Sequence, residues 1–302
     1  MFKEKKINDP IFSIIMNCHN GEKYLKQSLE SIIFQNYKNW ELIFWDNQST
    51  DKSKDLFKTF KDERFKYFYS ANKTSLYAAR NLSIQKANGL FLTFLDTDDY
   101  WLPTKLEKQL KFFQANPHIK IVYGNYFILN EKLKTKKLAC KDTDLRSGKI
   151  YENLLQRYNI GLLSICIKRN VNFRFDERFD IVGDLDAIMK LAKEETFGVI
   201  KEPLSVYRYH EKNFSLLNKE KHHKELNIWY NENIKFDNNI NRKLKDKFEI
   251  DLIELKIISY LLKKKKIEAY KLISDMKILK KKIKFMIFLL LPNPILRKFI
   301  NR

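Results

Sequence analysis

The sequence is poor in cysteine, glycine and proline, and each scarcity excludes something. Its three cysteines, Cys18, Cys140 and Cys166, are odd in number, far apart and in no CxxC spacing. That argues against a disulfide framework or a zinc site and fits a reducing compartment. Seven glycines and six prolines in 302 residues leave no collagen-like or low-complexity chain, and 44% hydrophobic with 14% aromatic residues is a globular composition. Long apolar runs are also missing. The longest, "FMIFLLLP" (285–292), is too short to span a bilayer. The start, "MFKEKKINDP", is polar and has no signal-peptide core. A cytosolic-side protein is the expectation.

Charge is what the chain has in excess. Fifty-eight basic against 37 acidic residues give a formal +21. Such an excess implies a polyanionic neighbour: nucleic acid, an anionic membrane surface or a phosphate-rich substrate. Residues 241–302 hold 18 Lys/Arg and 6 Asp/Glu, a net +12, so over half the excess sits in the last fifth. This reads as a basic tail on a mildly basic domain.

The first hundred residues alternate strand and helix. "IFSIIM" (11–16), "ELIFW" (41–45), "FKYFY" (65–69) and "LFLTFL" (90–95) read as strands. Between them lie helical patterns at 22–35, with Tyr24, Leu25, Leu29, Ile32 and Ile33 on one face, at 49–60 behind Ser/Thr/Asp capping residues, and at 75–88. The alternation predicts an α/β fold with a mostly parallel sheet flanked by helices. A helix from Pro103 to about 115, a mixed strand region at 119–129, a polar Lys-rich loop or hairpin at 130–149, a strand at 163–168, a helix at 184–194 and a late strand at 205–210 follow. From about 216 the pattern turns helical and basic, which predicts a domain at 1–215 and a helical tail at 216–302.

In open α/β sheets ligands sit beyond the C-terminal strand ends. Three polar clusters fall there: "NCHNG" after the first strand, "DNQSTD" after the second and "DTDD" after the fourth. The last packs Asp96, Asp98 and Asp99 within four positions, where mutual repulsion is unfavourable. Two or three oxygens from a short D-x-D segment suit a divalent cation shared with substrate phosphates. Helix capping by Asp98 or Asp99, with Asp96 ending the strand, is the alternative. For three carboxylates together it is the weaker one.

The linked segments "SIIMNCHNGEKYLKQSLESIIFQNYKNWELIFWDNQSTDKS", "ARN" (79–81) and "FLDTDDYWLP" (94–103) resemble the inverting glycosyltransferases of family 2, GT-A fold enzymes that use nucleotide-diphosphate sugars. The match is dense over residues 10–125 and thinner to about 215. The resemblance implies a D-x-D motif at Asp96-Thr97-Asp98, with Asp98 as direct ligand of Mn²⁺ or Mg²⁺ and Asp96 or Asp99 meeting the ribose or orienting the ligands. It implies a base site from Asn17, His19, Asn20, Asp46 and Asn47. The family usually has Pro-x-Tyr-Asn at 17–20 and Asp-Asp at 46–47, so this chain departs at Asn17, His19 and Asn47. His19 can still stack, and the Asn47 amide oxygen can still accept from a uracil N–H. Asn20 and Asp46 organising turns is the competing account. Arg80 is a candidate contact to base or phosphate, or else a solvated helix charge.

The same resemblance places a general base in "FDIVGDLDAIMKL" (179–191), at Asp184, with Asp186 as the rival and helix capping as the plainer role. It places an Arg-x-His pair in "VYRYHEKNFS" (206–215), where Arg208 and His210 would close over the diphosphate and His210 could ligate the metal. Trp101, and Asp99 beside it, are candidates for the acceptor sugar; core packing is an equal reading for Trp101.

The implied partners are a nucleotide-sugar donor, UDP-sugar favoured, and a glycan or lipid-linked glycan acceptor of bacterial-type surface polysaccharide or lipopolysaccharide synthesis. Lys263–Lys266, Lys280–Lys282 and Lys284 beside "KFMIFLLLPNPILRKFI" suit an anionic membrane surface over 277–300, which would make the protein peripheral at the inner face of the cell membrane. Residues 216–260 read better as a solvated helical subdomain. The alternatives are a non-enzymatic nucleic-acid or membrane binder and an inactive GT-A fold holding a sugar nucleotide. No RNP, zinc-finger or helix-turn-helix pattern supports the first, and the intact carboxylates oppose the second.

Overall fold

The computed structural model describes residues 9–292, 295 and 296. The polar start at 1–8, residues 293, 294 and 297–300 of the segment expected at a membrane surface, and the last two residues lie outside the described residues. The chain forms two compact units divided between His210 and Glu211, five residues before the expected boundary.

In the first unit, β1 (Phe12–Cys18), β2 (Trp40–Asp46), β3 (Phe65–Tyr69) and β4 (Phe91–Phe94) are joined by α1 (Glu22–Ile33), α2 (Ser53–Thr59) and α3 (Leu76–Gln85). Then come β5 (Tyr100–Trp101), α4 (Lys105–Ala115), β6 (Ile121–Asn130), β7 (Thr135–Leu138), α5 (Tyr151–Gln156), β8 (Cys166–Lys168), α6 (Gly183–Glu194) and β9 (Phe197–Tyr209). The strands order as β3-β2-β1-β4-β8-β6-β9-β5, with β7 beside β6. β1, β2 and β4 are buried at every position, and apolar residues dominate them, interrupted only by Ser13, Asn17, Glu41, Asp46 and Thr93, as expected of strands buried on both faces. Parallel pairing is confined to β3-β2-β1-β4 and to β6 with β9. β8, β7 and β5 all pair antiparallel. The sheet is therefore mixed, with its longest ladders parallel and its shortest ones antiparallel.

Register is what builds a site. Cys18 lies opposite Asp46, and Ile15 opposite Phe94, so the segments after β1, β2 and β4 end at one sheet edge. β9 is longer than the pattern at 205–210 indicated. It starts at Phe197 and passes Pro203 at a register shift against β6, where a proline is tolerated without breaking a ladder. Its far end pairs with β5, Tyr100 opposite Val206, and so reaches the loop after β4.

The second unit is helical: α7 (Phe214–Leu217), α8 (Lys219–Asn233), α9 (Arg242–Leu262), α10 (Lys266–Ser274) and α11 (Leu279–Leu290). Trp229 and Tyr230 of α8 pack on Phe248 of α9. Ile257, Leu261, Ala269, Ile273 and Phe285 form a small core among α9, α10 and α11. No helix among the described residues is long and apolar enough to cross a membrane.

Candidate active site

The loop after β4 is held from three sides. Gly21 precedes α1 so closely that a Cβ there would stand 2.8 Å from the Thr97 hydroxyl, and only glycine allows this approach. Ser28 on α1 has its hydroxyl 2.8 Å from the Thr97 carbonyl and 2.5 Å from that of Asp99, so one proton serves both. From β9, the Arg208 N–H donates to Asp99 Oδ1 (2.8 Å) and Arg208 Nε to the Asp98 carbonyl (2.8 Å).

That grip decides where each carboxylate goes. Asp99 is turned inward and buried, and burial, then the charges of Asp98 and Asp96, push it well above the usual carboxylate range. It orients the loop and offers no oxygen to an acceptor. Asp98 turns toward β9, where His210 Nε2 donates to Asp98 Oδ2 at 3.0 Å. Asp96 faces α3, with Arg80 Nη2 2.5 Å from its Oδ1. The three expected metal donors are thus split: Asp98 and His210 meet, and Asp96 belongs to Arg80.

Among the described residues no three carboxylate, imidazole or thiolate groups converge to hold an ion alone. Asp98 and His210 supply two donors. Mg²⁺ and Mn²⁺ prefer oxygen ligands, and Mg²⁺ typically uses one or two carboxylates with substrate phosphates and water completing the shell; an added imidazole suits Mn²⁺ better than Mg²⁺. The pair fits that role and not a closed cage.

Arg80 is 4% exposed, which excludes a solvated helix charge. Burial opposes its charge, but Asp96 and then Tyr77 outweigh it, so its pKa is raised. One turn earlier on α3, the Tyr77 hydroxyl lies 3.1 Å from the Ile181 carbonyl and 3.3 Å from Asp184 Oδ1. Gly183 makes room for that ring, since a Cβ there would fall 2.5 Å from it. Asn81, next to Arg80, clamps the segment leading to α6 by accepting from Phe175 N and donating to its carbonyl. One short helix therefore positions both carboxylate groups.

At the start of α6 the two aspartates separate. Asp186 is buried and paired with Lys190 at 2.7 Å. Asp184 accepts from Leu185 N (2.8 Å) and from Tyr77, and burial raises its pKa against the opposing pull of Arg80. Near it, Tyr158 is pushed well up by burial and by the Asp184 charge, and its buried hydroxyl has no hydrogen-bond partner. A buried hydroxyl without a partner in the protein is unfavourable, and a water or a bound ligand would satisfy it.

Most of the expected base-site residues are tied into the protein. Asp46 is fully buried, accepting from Tyr67 (2.6 Å) and Ser49 N (2.7 Å). Asn47 exchanges bonds with Thr74, donating to its carbonyl and accepting from its N–H, so its amide is not available to a base. Asn20, at φ 59°, accepts from Thr50 N. These side chains build turns. Asn17 keeps a buried Oδ1 without a partner, and His19 remains exposed between the Asn47 carbonyl (3.1 Å) and Lys73 Nζ (2.8 Å).

Two further expectations are corrected by burial. Trp101 is 2% exposed, with Nε1 donating to the Leu163 carbonyl, so it has no ring face for a sugar. Lys105 covers that ring at 4.0 Å, buried, bonded to Thr93 Oγ1 (2.7 Å) and Gln109 Oε1 (2.9 Å); desolvation lowers its pKa to about 7. Arg208 is also enclosed, touching Gln27, Glu131 and the Tyr24 ring, and acts as a strut rather than a phosphate contact. Tyr24, which the helical pattern assigned to the core face, instead packs tilted against the His210 ring (4.9 Å) and donates to Glu131 (2.5 Å). Tyr77, Tyr158, Lys73 and Glu131 carried no motif that could have singled them out. Only "ARN", read as a block, pointed at α3.

A model of the family described as "Glycosyl transferase family 2" matches residues 13–176. The Escherichia coli UDP-Glc:alpha-D-GlcNAc-diphosphoundecaprenol beta-1,3-glucosyltransferase WfgD is 31% identical over 194 residues, 64% of this chain and 74% of its own length. An uncharacterized glycosyltransferase of Haemophilus influenzae is 37% identical over 165 residues; the match takes in 54% of this chain and 64% of that relative. Among solved structures, S. aureus TarS 1-349 in complex with UDP-GlcNAc superposes with a TM-score of 0.64 at 16% identity, covering 87% of this chain and 78% of that one. The Pyrobaculum calidifontis mannosyltransferase PcManGT, in complex with GDP-Man and Mn2+, gives 0.57 at 15% identity, covering 80% and 69%. At such identities the two structures speak for the fold.

Proposed function

Because the chain belongs to glycosyl transferase family 2, we propose that it moves a sugar, with inversion, from a nucleotide-diphosphate donor to a glycan or lipid-linked glycan acceptor. It is a glycosyltransferase with a mixed α/β fold of the GT-A type. The observation that carries the finer reading is the link through α3: Arg80 on Asp96 and Tyr77 on Asp184 join the strand-end loop to the start of α6.

In this reading Asp184 takes the proton of the acceptor hydroxyl as that oxygen attacks the anomeric carbon on the face opposite the leaving nucleotide. Burial keeps its carboxylate basic, while Leu185 N and Tyr77 fix its direction. Asp98 and His210 would hold a divalent cation, which when bound neutralises charge on the departing diphosphate. Arg208 and Asp99 keep that pair in place from behind. His19 and Lys73 flank the nucleotide, and Asp96 with Arg80 meets the ribose side.

A UDP-sugar is favoured, since the E. coli relative is named for UDP-Glc and the S. aureus structure holds UDP-GlcNAc. The diphosphoundecaprenol acceptor in the relative's name supports a lipid-linked acceptor in surface polysaccharide synthesis and a peripheral place at the inner membrane face. A thermal-shift screen of UDP-, GDP-, dTDP- and CMP-sugars with Mn²⁺ tests the donor class. A UDP-sugar should raise the melting temperature most, and a shift confined to another nucleotide would overturn the donor assignment.

A further inference from the structure

Helix α11 is apolar on two opposite sides, and its own unit needs only one of them. Phe285 is fully buried in the core among α9, α10 and α11. Leu279, Ile283, Ile287 and Leu290 are 69, 52, 53 and 80% exposed. At 3.6 residues per turn these four fall within an arc of about 80°, centred opposite Phe285. A lone exposed leucine needs no account, but four aligned along one short helix do.

Lysines border this arc. By the same helical spacing, Lys280 and Lys284 lie on one flank; Lys282, on the other, is half-buried and donates to the Ser274 carbonyl at 2.6 Å, and the helix contains no acidic residue. The inward Lys281 is the one that meets acids, at Glu254 and Asp251. Lys263–Lys265 connect α9 to α10 and Lys266 opens α10 in the same unit; all four are exposed, Lys263 pairing with Glu220, and Ile267 beside them is 72% exposed.

We infer that the outer face of α11 docks on an anionic phospholipid bilayer, with the helix lying in the interface plane. Twelve residues are about 18 Å long, so the helix lies on a membrane and does not cross it. The apolar arc would sink to the acyl boundary while the flanking lysine stems reach back to the headgroups. Charge complementarity selects this occupant. Two copies packed through the same face would bring lysine flanks together with no acidic side chain on the helix to neutralise them, whereas anionic headgroups supply that neutralisation.

This rests on the membrane placement proposed above but not on the chemistry of transfer, and the two fail separately. The test is co-sedimentation of the full chain with phosphatidylglycerol-containing and pure phosphatidylcholine vesicles. The native protein should bind the anionic vesicles at least tenfold more tightly. Ile283→Asp/Ile287→Asp should lose at least tenfold in that binding, and Lys280→Glu/Lys284→Glu should lose the preference for anionic lipid. Both variants should release nucleotide from a soluble donor as the native protein does. Asp184→Asn, inactive in transfer, should still bind. Undiminished vesicle binding by the Ile283→Asp/Ile287→Asp variant, no binding by the native chain, or a native dimer that this variant dissolves would each overturn the inference.

Discussion

Arg80 and Asp96 form an ion pair with one partner buried and the other open. The guanidinium is enclosed, its Nη2 sits 2.5 Å from Asp96 Oδ1, and the carboxylate is 45% exposed. An arginine so enclosed cannot rotate to another partner, so it holds Asp96 toward α3 with the rest of the carboxylate open to solvent. Arg80→Lys keeps the charge but loses the planar fork. Charged hydrogen bonds of this kind contribute about 1.5–3 kcal/mol, which predicts a roughly 10–100-fold drop in kcat/KM for nucleotide release. Circular dichroism should show an intact fold. Native kinetics in this variant would mean that the pair is only structural.

Asp184 and Asp186 are predicted to separate in function. Asp184→Asn should lower kcat by about 10²–10⁴-fold, the usual contribution of a positioned base. Asp186→Asn should chiefly lower stability, because it breaks the Lys190 pair inside a buried first turn. The pH profile follows from the raised pKa of Asp184. A base acts only when ionised, so activity should rise with pH along a limb displaced above the ordinary aspartate value of about 3.9. Tyr77→Phe removes a hydrogen bond to the ionised form and should move that limb further up. A profile unchanged in Tyr77→Phe would remove Asp184 from the role.

Tyr158→Phe distinguishes a ligand-facing hydroxyl from a structural one. The hydroxyl has no partner in the protein, so its loss should leave the melting temperature unchanged or higher. Transfer to acceptor should fall while donor binding persists. A fall in stability without a change in transfer would contradict this role.

Lys105 predicts a pH effect on stability alone. Unfolded lysine holds its proton to about pH 10.4, whereas burial lowers the folded value to about 7. Between those limits the unfolded chain binds more protons, so the contribution of Lys105 to stability improves as pH rises and is worst below pH 7. Unfolding of Lys105→Met should show a flatter pH dependence than the native chain between pH 7 and 10. Parallel curves would mean that the lysine is charged in the fold throughout.

The parts of the fold legible in the sequence are those set by local pattern. β1, β2 and β4 are buried on both faces and read as apolar runs, and their polar ends could be placed at one edge without coordinates. The side chains that complete the site were legible only where a motif named them. Asn47 and Trp101 carry the chemistry of a base contact and a sugar platform, but Thr74 and the Leu163 carbonyl, distant in sequence, claim them. Tyr24 sits in a helical apolar pattern, and only the β5–β9 pairing brings His210 onto it. Only the 205–210 end of β9 is legible, because Pro203 reads as a break, while the register shift against β6 accommodates it.

Nucleotide release from a UDP-sugar, with and without EDTA, in the native chain and in Asp98→Ala decides whether a cation held at Asp98 drives the transfer. Release should depend on Mn²⁺ or Mg²⁺, be abolished by EDTA and be lost in Asp98→Ala. Full turnover by Asp98→Ala, or by the native enzyme in EDTA, would contradict it.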